Sequence, residues 1–392
     1  MYIRRSQPIQ WILCFAIYFF MPATEAQNNA SPEFKKTVLT RDFISEGVAV
    51  ADLNKDGLMD IVAGYYWFEA PSWARHKIGP GKVYDPRQEY SESFLNFCMD
   101  VNLDGWDDIV IIDYPGKPGL WLENPKNKPG VWQKRVIADS MGIGNESPAF
   151  LDIDGDGRTD ILCGDVDKKQ IVWLQAPLNP KETQWVRHAL STENVPGTDR
   201  FSHGIGWGDV NMDGIDDVVI KEGWFKGKAN KGSGDWVFNP AELGEPCSHM
   251  QILDVNADGK NDIVSASAHK LGVWWHEQLD HEKFKTHLIS TTTAQTHSSL
   301  MADLNGDGRD DFISGKRFLA HNGNDAGDAE APLLFWIEFD PDHPPYYKEH
   351  LIDTDSGAGL NIAVADMNND NSLDIVIANK NGVFLLENYI NN

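Results

Sequence analysis

The chain is poor in cysteine, with four in 392 residues, and poor in basic side chains, with 34 Lys and Arg against 59 Asp and Glu. A formal charge of −25 repels a phosphate backbone, which excludes nucleic acid as a partner and favours bound cations that offset the self-repulsion. Cys14 lies in an N-terminal apolar run, leaving Cys98, Cys163 and Cys247; an odd number at these positions fits buried free thiols, not a disulfide framework. Long apolar runs are also missing. The one from Ile9 to Met21 is too short to span a bilayer. With Arg4 and Arg5 before it and small residues around Ala23 and Ala26 after it, it predicts a signal peptide over residues 1–26, cleaved near Ala26. The expected product, residues 27–392, is a single domain, secreted or periplasmic, with no membrane span. No Ser-His-Asp signature and no phosphate loop occurs, which leaves hydrolase and kinase readings without support.

What is present is a repeat. The unit Asp-x-Asn/Asp-x-Asp-Gly-x-x-Asp occurs at residues 52–60, 100–108, 152–160, 209–217, 254–262, 303–311 and 366–374. Oxygen side chains at alternate positions face one concavity, the sixth-position Gly permits a sharp turn, and the ninth Asp closes a shell around a hard cation. The expected calcium ligands are Asp52, Asn54, Asp56 and Asp60; Asp100, Asn102, Asp104 and Asp108; Asp152, Asp154, Asp156 and Asp160; Asp209, Asn211, Asp213 and Asp217; Asp254, Asn256, Asp258 and Asp262; Asp303, Asn305, Asp307 and Asp311; and Asp366, Asn368, Asp370 and Asp374. Up to seven structural Ca²⁺ ions are therefore predicted, the last loop binding more weakly because Asn371 replaces its Gly. An EF-hand is excluded. It needs Glu at the twelfth position, where these loops carry Ala63, Ile111, Cys163, Ile220, Ser265, Ser314 and Ile377.

A β-branched run such as Ile61-Val62 or Ile109-Val110 follows each loop and predicts a buried strand. An aromatic strand comes next, as at Tyr66-Trp67-Phe68 or Trp274-Trp275. A polar fourth strand with an aromatic, basic, aliphatic order recurs at residues 73–78, 185–190, 284–289 and 347–352. Four strands per unit and seven units predict an all-β, seven-bladed β-propeller with four-stranded blades. After the seventh loop only two strands remain, and residues 34–39 show the fourth-strand pattern, so the N-terminal strand is expected to complete the last blade.

These seven copies resemble the FG-GAP or VCBS repeats of integrin α-type propellers and of many secreted bacterial proteins, over residues 34–388. The resemblance implies the fold and leaves open adhesion modules and enzymes. A narrower resemblance, carried by residues 296–308, is to the propeller domain of aldos-2-ulose dehydratases, enzymes that eliminate water from keto-sugars; their additional cupin domains have no counterpart here.

Six residues before each loop, inner strands begin on a common ring, which places Glu46, Phe94, Glu146, His203, His297 and Leu360 at one channel mouth, with His249 one residue out of step. Glu146, His203, His249 and His297 are the expected ligands of an additional divalent metal there. Loops opening on the same mouth carry Tyr66, His269 and Lys316 as candidate base or acid and Arg317 as the group that binds an anionic or carbonyl oxygen. This constellation predicts a carbohydrate-active lyase or dehydratase that performs metal-assisted β-elimination on a keto-sugar or a uronate-containing glycan. The alternative is a propeller that binds a glycan or protein without turnover. The fourth-strand histidines His76, His188, His287 and His350 follow the repeat and are expected to serve packing.

Overall fold

A computed structural model describes residues 32–138, 141–180, 182–280, 283–325 and 327–390. The segment expected to be a signal peptide, its expected cleavage site and Cys14 lie outside these residues. Among the described residues every regular element is a strand, and the 28 strands form seven four-stranded antiparallel sheets, the blades of a β-propeller. Six blades take four successive strands. The seventh is completed by Pro32–Thr40 pairing antiparallel with Gly382–Ile390, Phe34 opposite Asn388, which is the expected closure.

The β-branched second strands are buried from end to end, as in Asp60–Ala63, Asp108–Ile112 and Asp374–Asn379. Both faces of such a strand pack, because each blade lies between two others. Val110 and Trp121 of the second blade, for example, share one apolar cluster with Ile161, Val172 and Leu174 of the third. Fourth strands such as Ala74–Lys77 form the exposed perimeter. In four of them a histidine lies flat on the third-strand tryptophan, with ring centroids 4.2–4.6 Å apart in the pairs Trp67–His76, Trp173–His188, Trp275–His287 and Trp336–His350. Nε2 of each reaches Glu69, Gln175, Glu277 or Glu338 at 2.7–3.0 Å. These histidines hold the outer strands and take no part in the mouth.

Each acidic loop turns on its sixth residue. The six glycines there have φ of 83–88°, and Asn371 adopts 68°, the left-handed conformation that Asn tolerates best after Gly. Oxygens of the first, third and fifth side chains accept N–H bonds inside the turn; Asp52 accepts from Asp56 and Gly57, and Asn54 from Asp56. The ninth aspartates behave differently. All seven are at most 1% exposed. One oxygen accepts the N–H of the loop's second residue, as from Leu53, Val255 or Met367, and in six blades the other accepts an N–H at the end of the third strand, as from Ala70, Gln278 or Asn388. This carboxylate therefore staples the turn to the sheet. Burial raises the seven carboxyls to values from about 6 to about 8.

Cys98, Cys163 and Cys247 are free, the last two fully buried, and burial pushes the Cys247 thiol up to about 12.

Candidate functional site

The start of each inner strand is where blades bond to one another near the axis. Glu46 N–H donates to the Ser93 carbonyl, Glu146 N–H to that of Ser202, and Leu360 N–H to that of Glu46, at 2.8–3.0 Å. Side chains at this ring position point inward, and three of the four predicted metal ligands meet there. Glu146 Oε2 lies 3.5 Å from His203 Nε2 and 3.9 Å from His297 Nε2. Both imidazole nitrogens are buried without a hydrogen-bond partner. His297 Nδ1 is tied to the Gln295 carbonyl at 3.0 Å, so its free nitrogen faces the carboxylate. Burial tends to raise the Glu146 carboxyl, but the adjoining imidazole of His203, with Arg317, holds it well below the usual carboxylate range. Burial, reinforced by Arg317, keeps His297 neutral, as a metal-ligating imidazole must be.

A second group adjoins the first. Asp325 Oδ2 accepts from His269 Nδ1 at 2.9 Å and lies 3.0 Å from His321 Nδ1, which hydrogen-bonds Gln295 Oε1 at 3.1 Å. The His269 ring centroid lies 4.7 Å from that of His203 and 4.5 Å from that of His321. Above them opens a cavity of about 520 Å³ whose walls include Tyr90, Phe94, Tyr114, Phe201, Lys221 and Glu222 besides Glu146, His203, His269 and His321. Its aromatic side is continuous: Tyr90, Phe94 and Tyr114 touch one another, and Tyr114 meets Phe201 edge-on at 5.1 Å.

Four predicted roles change. His249 does not join the cluster, because its half-buried ring lies with Nε2 3.2 Å from the Pro148 carbonyl. Tyr66 donates its hydroxyl to the Gly81 carbonyl at 3.0 Å and lies outside the cavity. Lys316 is 2% exposed and also outside it, its Nζ 4.0 Å from Glu330, with burial lowering its pKa. Arg317 turns both terminal nitrogens to carboxylates and leaves only a buried, unpartnered Nε–H. Its Nη1 is 3.2 Å from Glu146 Oε2 and its Nη2 bonds Glu46, so it crosses the axis and joins the sixth, third and first blades. Of the four candidate catalytic residues, only His269 faces the cavity.

Asp325, Tyr90 and Phe201 were not singled out from the sequence. Asp325 had a legible signal, four residues after His321 in the insertion 318–332. Tyr90 and Phe201 lie in the insertions 79–93 and 191–201, where no periodicity guides a reading. Lys380 was also missed; it lies over the Tyr90 ring at 4.2 Å, with burial bringing its amine down to about 8.

Seven blades of one repeat, with Glu146, His203 and His297 and then His269, His321 and Asp325 converging at the mouth opposite the acidic turns, define a β-propeller whose repeats shape the scaffold and whose insertions shape the site. The repeats are FG-GAP-like: residues 100–163 and 254–314 match the FG-GAP-like repeat family. Integrin alpha-8 of Mus musculus is 27% identical over 176 residues, which is 36% of this chain and 16% of the integrin. Among solved structures, BBS1N in complex with ARL6DN is similar with a TM-score of 0.53 at 8% identity, over 89% of this chain and 93% of that one. A rhamnogalacturonan lyase of Bacillus licheniformis gives 0.46 at 10% identity, over 90% of this chain and 75% of that one.

Proposed function

We propose that the mouth is a carbohydrate site with lyase or dehydratase chemistry, built on a divalent metal held by Glu146, His203 and His297. The observation that carries this reading is the pair of buried, partnerless imidazole nitrogens facing one carboxylate oxygen at the floor of an open cavity. A metal there supplies electrophilic stabilisation of a carbonyl oxygen as charge develops on it. His269 supplies the base: Asp325 accepts from its Nδ1, which leaves the Nε2 lone pair for the proton beside the carbonyl. That proton passes to Nε2, the C–H electron pair forms the C=C bond, and the C–O bond at the next carbon breaks. The departing oxygen takes up a proton and leaves as water, or as an alcohol where the substrate is a glycan.

We place calcium in the acidic loops as structural ions of an exported protein. The first, third and fifth side chains already point into each turn, and Asp152, Asp154 and Asp156 bring three carboxylates within 4.8 Å of one another.

The test is to incubate the purified protein with keto-sugars and uronate polysaccharides, with and without chelator, and to follow the ultraviolet absorbance of the unsaturated product. Turnover abolished by chelator and by His269→Ala supports the reading; a fully metallated protein without turnover on the whole panel sinks it. Integrin-like repeats favour one second reading, a propeller that binds without turnover, and that outcome with measurable sugar affinity would establish it.

A further inference from the structure

The turns that edge the mouth differ in length, and the shortest open side shows where a bound ligand continues. We propose that the site takes a glycan chain of at least two sugar units, its terminal unit in the mouth and the next in a groove that leaves sideways between the fourth and fifth blades; this rests on the carbohydrate reading above. Beneath the histidines the axis is filled by Arg317 and Glu46, 1% and 0% exposed, so a ligand seated there cannot continue along the channel.

In the sixth blade residues 316–333 join the second and third strands, whereas in the fourth blade Lys221 and Glu222 alone do so. Blades one and seven have turns as short, Gly64-Tyr65 and Lys380-Asn381, but both are built over. Gly79 and Gly81 lie so close over Tyr65 that a Cβ on either would fall within 2.7 Å of it, and Asn322 of the insertion 318–332 accepts from Lys380 Nζ at 2.8 Å. Lys221 and Glu222 instead line two cavities at once. On one side is the mouth, about 520 Å³; on the other is a groove of about 770 Å³ lined by Pro240, Ala241, Glu242, Gly244 and Thr286. Each is large enough for a small-molecule ligand.

The backbone under this rim is fixed, because Ala241 N–H donates to the Glu222 carbonyl at 2.9 Å and Leu243 N–H to that of Lys221 at 3.0 Å. The side chains above it are not. Lys221 Nζ lies 2.7 Å from Glu222 Oε1, and the two are 33% and 37% exposed. An ion pair this exposed contributes little, so its ammonium and carboxylate are free to turn to the hydroxyls of a chain that passes over them. At the outer end Thr286 stands exposed on the fourth strand of the fifth blade, its Oγ1 3.0 Å from Nδ1 of the buried His276, whose Nε2 is 3.0 Å from Ser265 Oγ. A hydroxyl so oriented keeps further hydrogen-bonding positions for a ligand. Polar groups therefore follow the groove from the rim to the perimeter, as a hydroxyl-rich chain requires.

Calorimetric titration of the metallated protein with two ladders, α-1,4-linked galacturonate and glucose oligomers of one to four units, tests this alongside titration with keto-sugars. In a ladder that binds, the dimer should bind at least tenfold more tightly than the monomer, which one or two hydrogen bonds to the rim charges suffice to give. Glu242 is exposed, so Glu242→Trp fills the groove without disturbing the core; it should erase the gain with chain length while metal content and melting temperature match the parent. Affinity independent of chain length, a gain that Glu242→Trp leaves untouched, or binding of the keto-sugars alone overturns the inference and leaves the carbohydrate reading intact. No binding of either ladder or of the keto-sugars overturns both.

Discussion

Replacing Arg317 by methionine tests whether the axis is held together by charge. The side chain is 1% exposed and is shared by Glu46, wholly buried, and Glu146, nearly so. Met fills a similar volume, so the change is chiefly the removal of the positive charge. Deleting one partner of a buried ion pair typically costs about 3–5 kcal/mol, because the remaining charge stays desolvated and uncompensated. Here two carboxylates are stranded, so the upper part of that range, about 5 kcal/mol, is expected. Equilibrium denaturation followed by tryptophan fluorescence in the presence of chelator measures it without a contribution from bound metal. Glu46→Gln in the Arg317→Met background should restore about 2 kcal/mol or more, since it removes one of the two stranded charges, and a double-mutant cycle reports the coupling. A loss below about 1 kcal/mol, or strict additivity of the two substitutions, would refute the role of Arg317 as an axial tie.

The seven buried ninth aspartates predict an unusual pH response. Their folded pKa values, raised by burial to between about 6 and about 8, exceed the unfolded value of about 4, so the folded chain binds more protons and loses stability as pH rises from about 4 to about 8. Melting temperatures in chelator should fall across that window, and millimolar calcium should flatten the slope; a calcium-free protein that gains stability over the same range contradicts the burial of these groups. At the mouth, His203→Ala should abolish binding of added Co²⁺ measured with the acidic loops saturated by calcium, whereas His249→Ala should retain it, and Tyr66→Phe should leave turnover within about twofold because its hydroxyl serves Gly81.

The scaffold was legible because it is periodic. Seven acidic turns set the register of every second strand, and the ring position six residues ahead of each turn correctly brought Glu46, Glu146, His203 and His297 to one mouth. His249 shows how narrow that rule is. Ser248 holds the ring position in the fifth blade, and a displacement of one residue along extended chain sends a side chain the opposite way, here onto the Pro148 carbonyl. The pairing of Arg317 with Glu46 and Glu146 was invisible for a different reason: its partners lie 271 and 171 residues away, on blades across the axis, and nothing local encodes which charges meet. Tyr66 was misassigned because the insertion 79–93 folds back to offer its hydroxyl the Gly81 carbonyl, a contact set by loop conformation.

The strand Pro32–Thr40 has one further consequence, in time rather than in space. Its partner, Gly382–Ile390, follows the other six blades along the chain, so this strand must wait until all of them have been made before it has an edge to join. Blades one to six can form as they emerge, each from contiguous sequence, but the seventh and the circle it completes cannot. The mouth depends on that last step. Glu46 of the first blade accepts the Leu360 N–H of the seventh and also receives Arg317, so a geometry suited to binding arises only when the ring shuts. The mouth thereby takes its shape in a single late event.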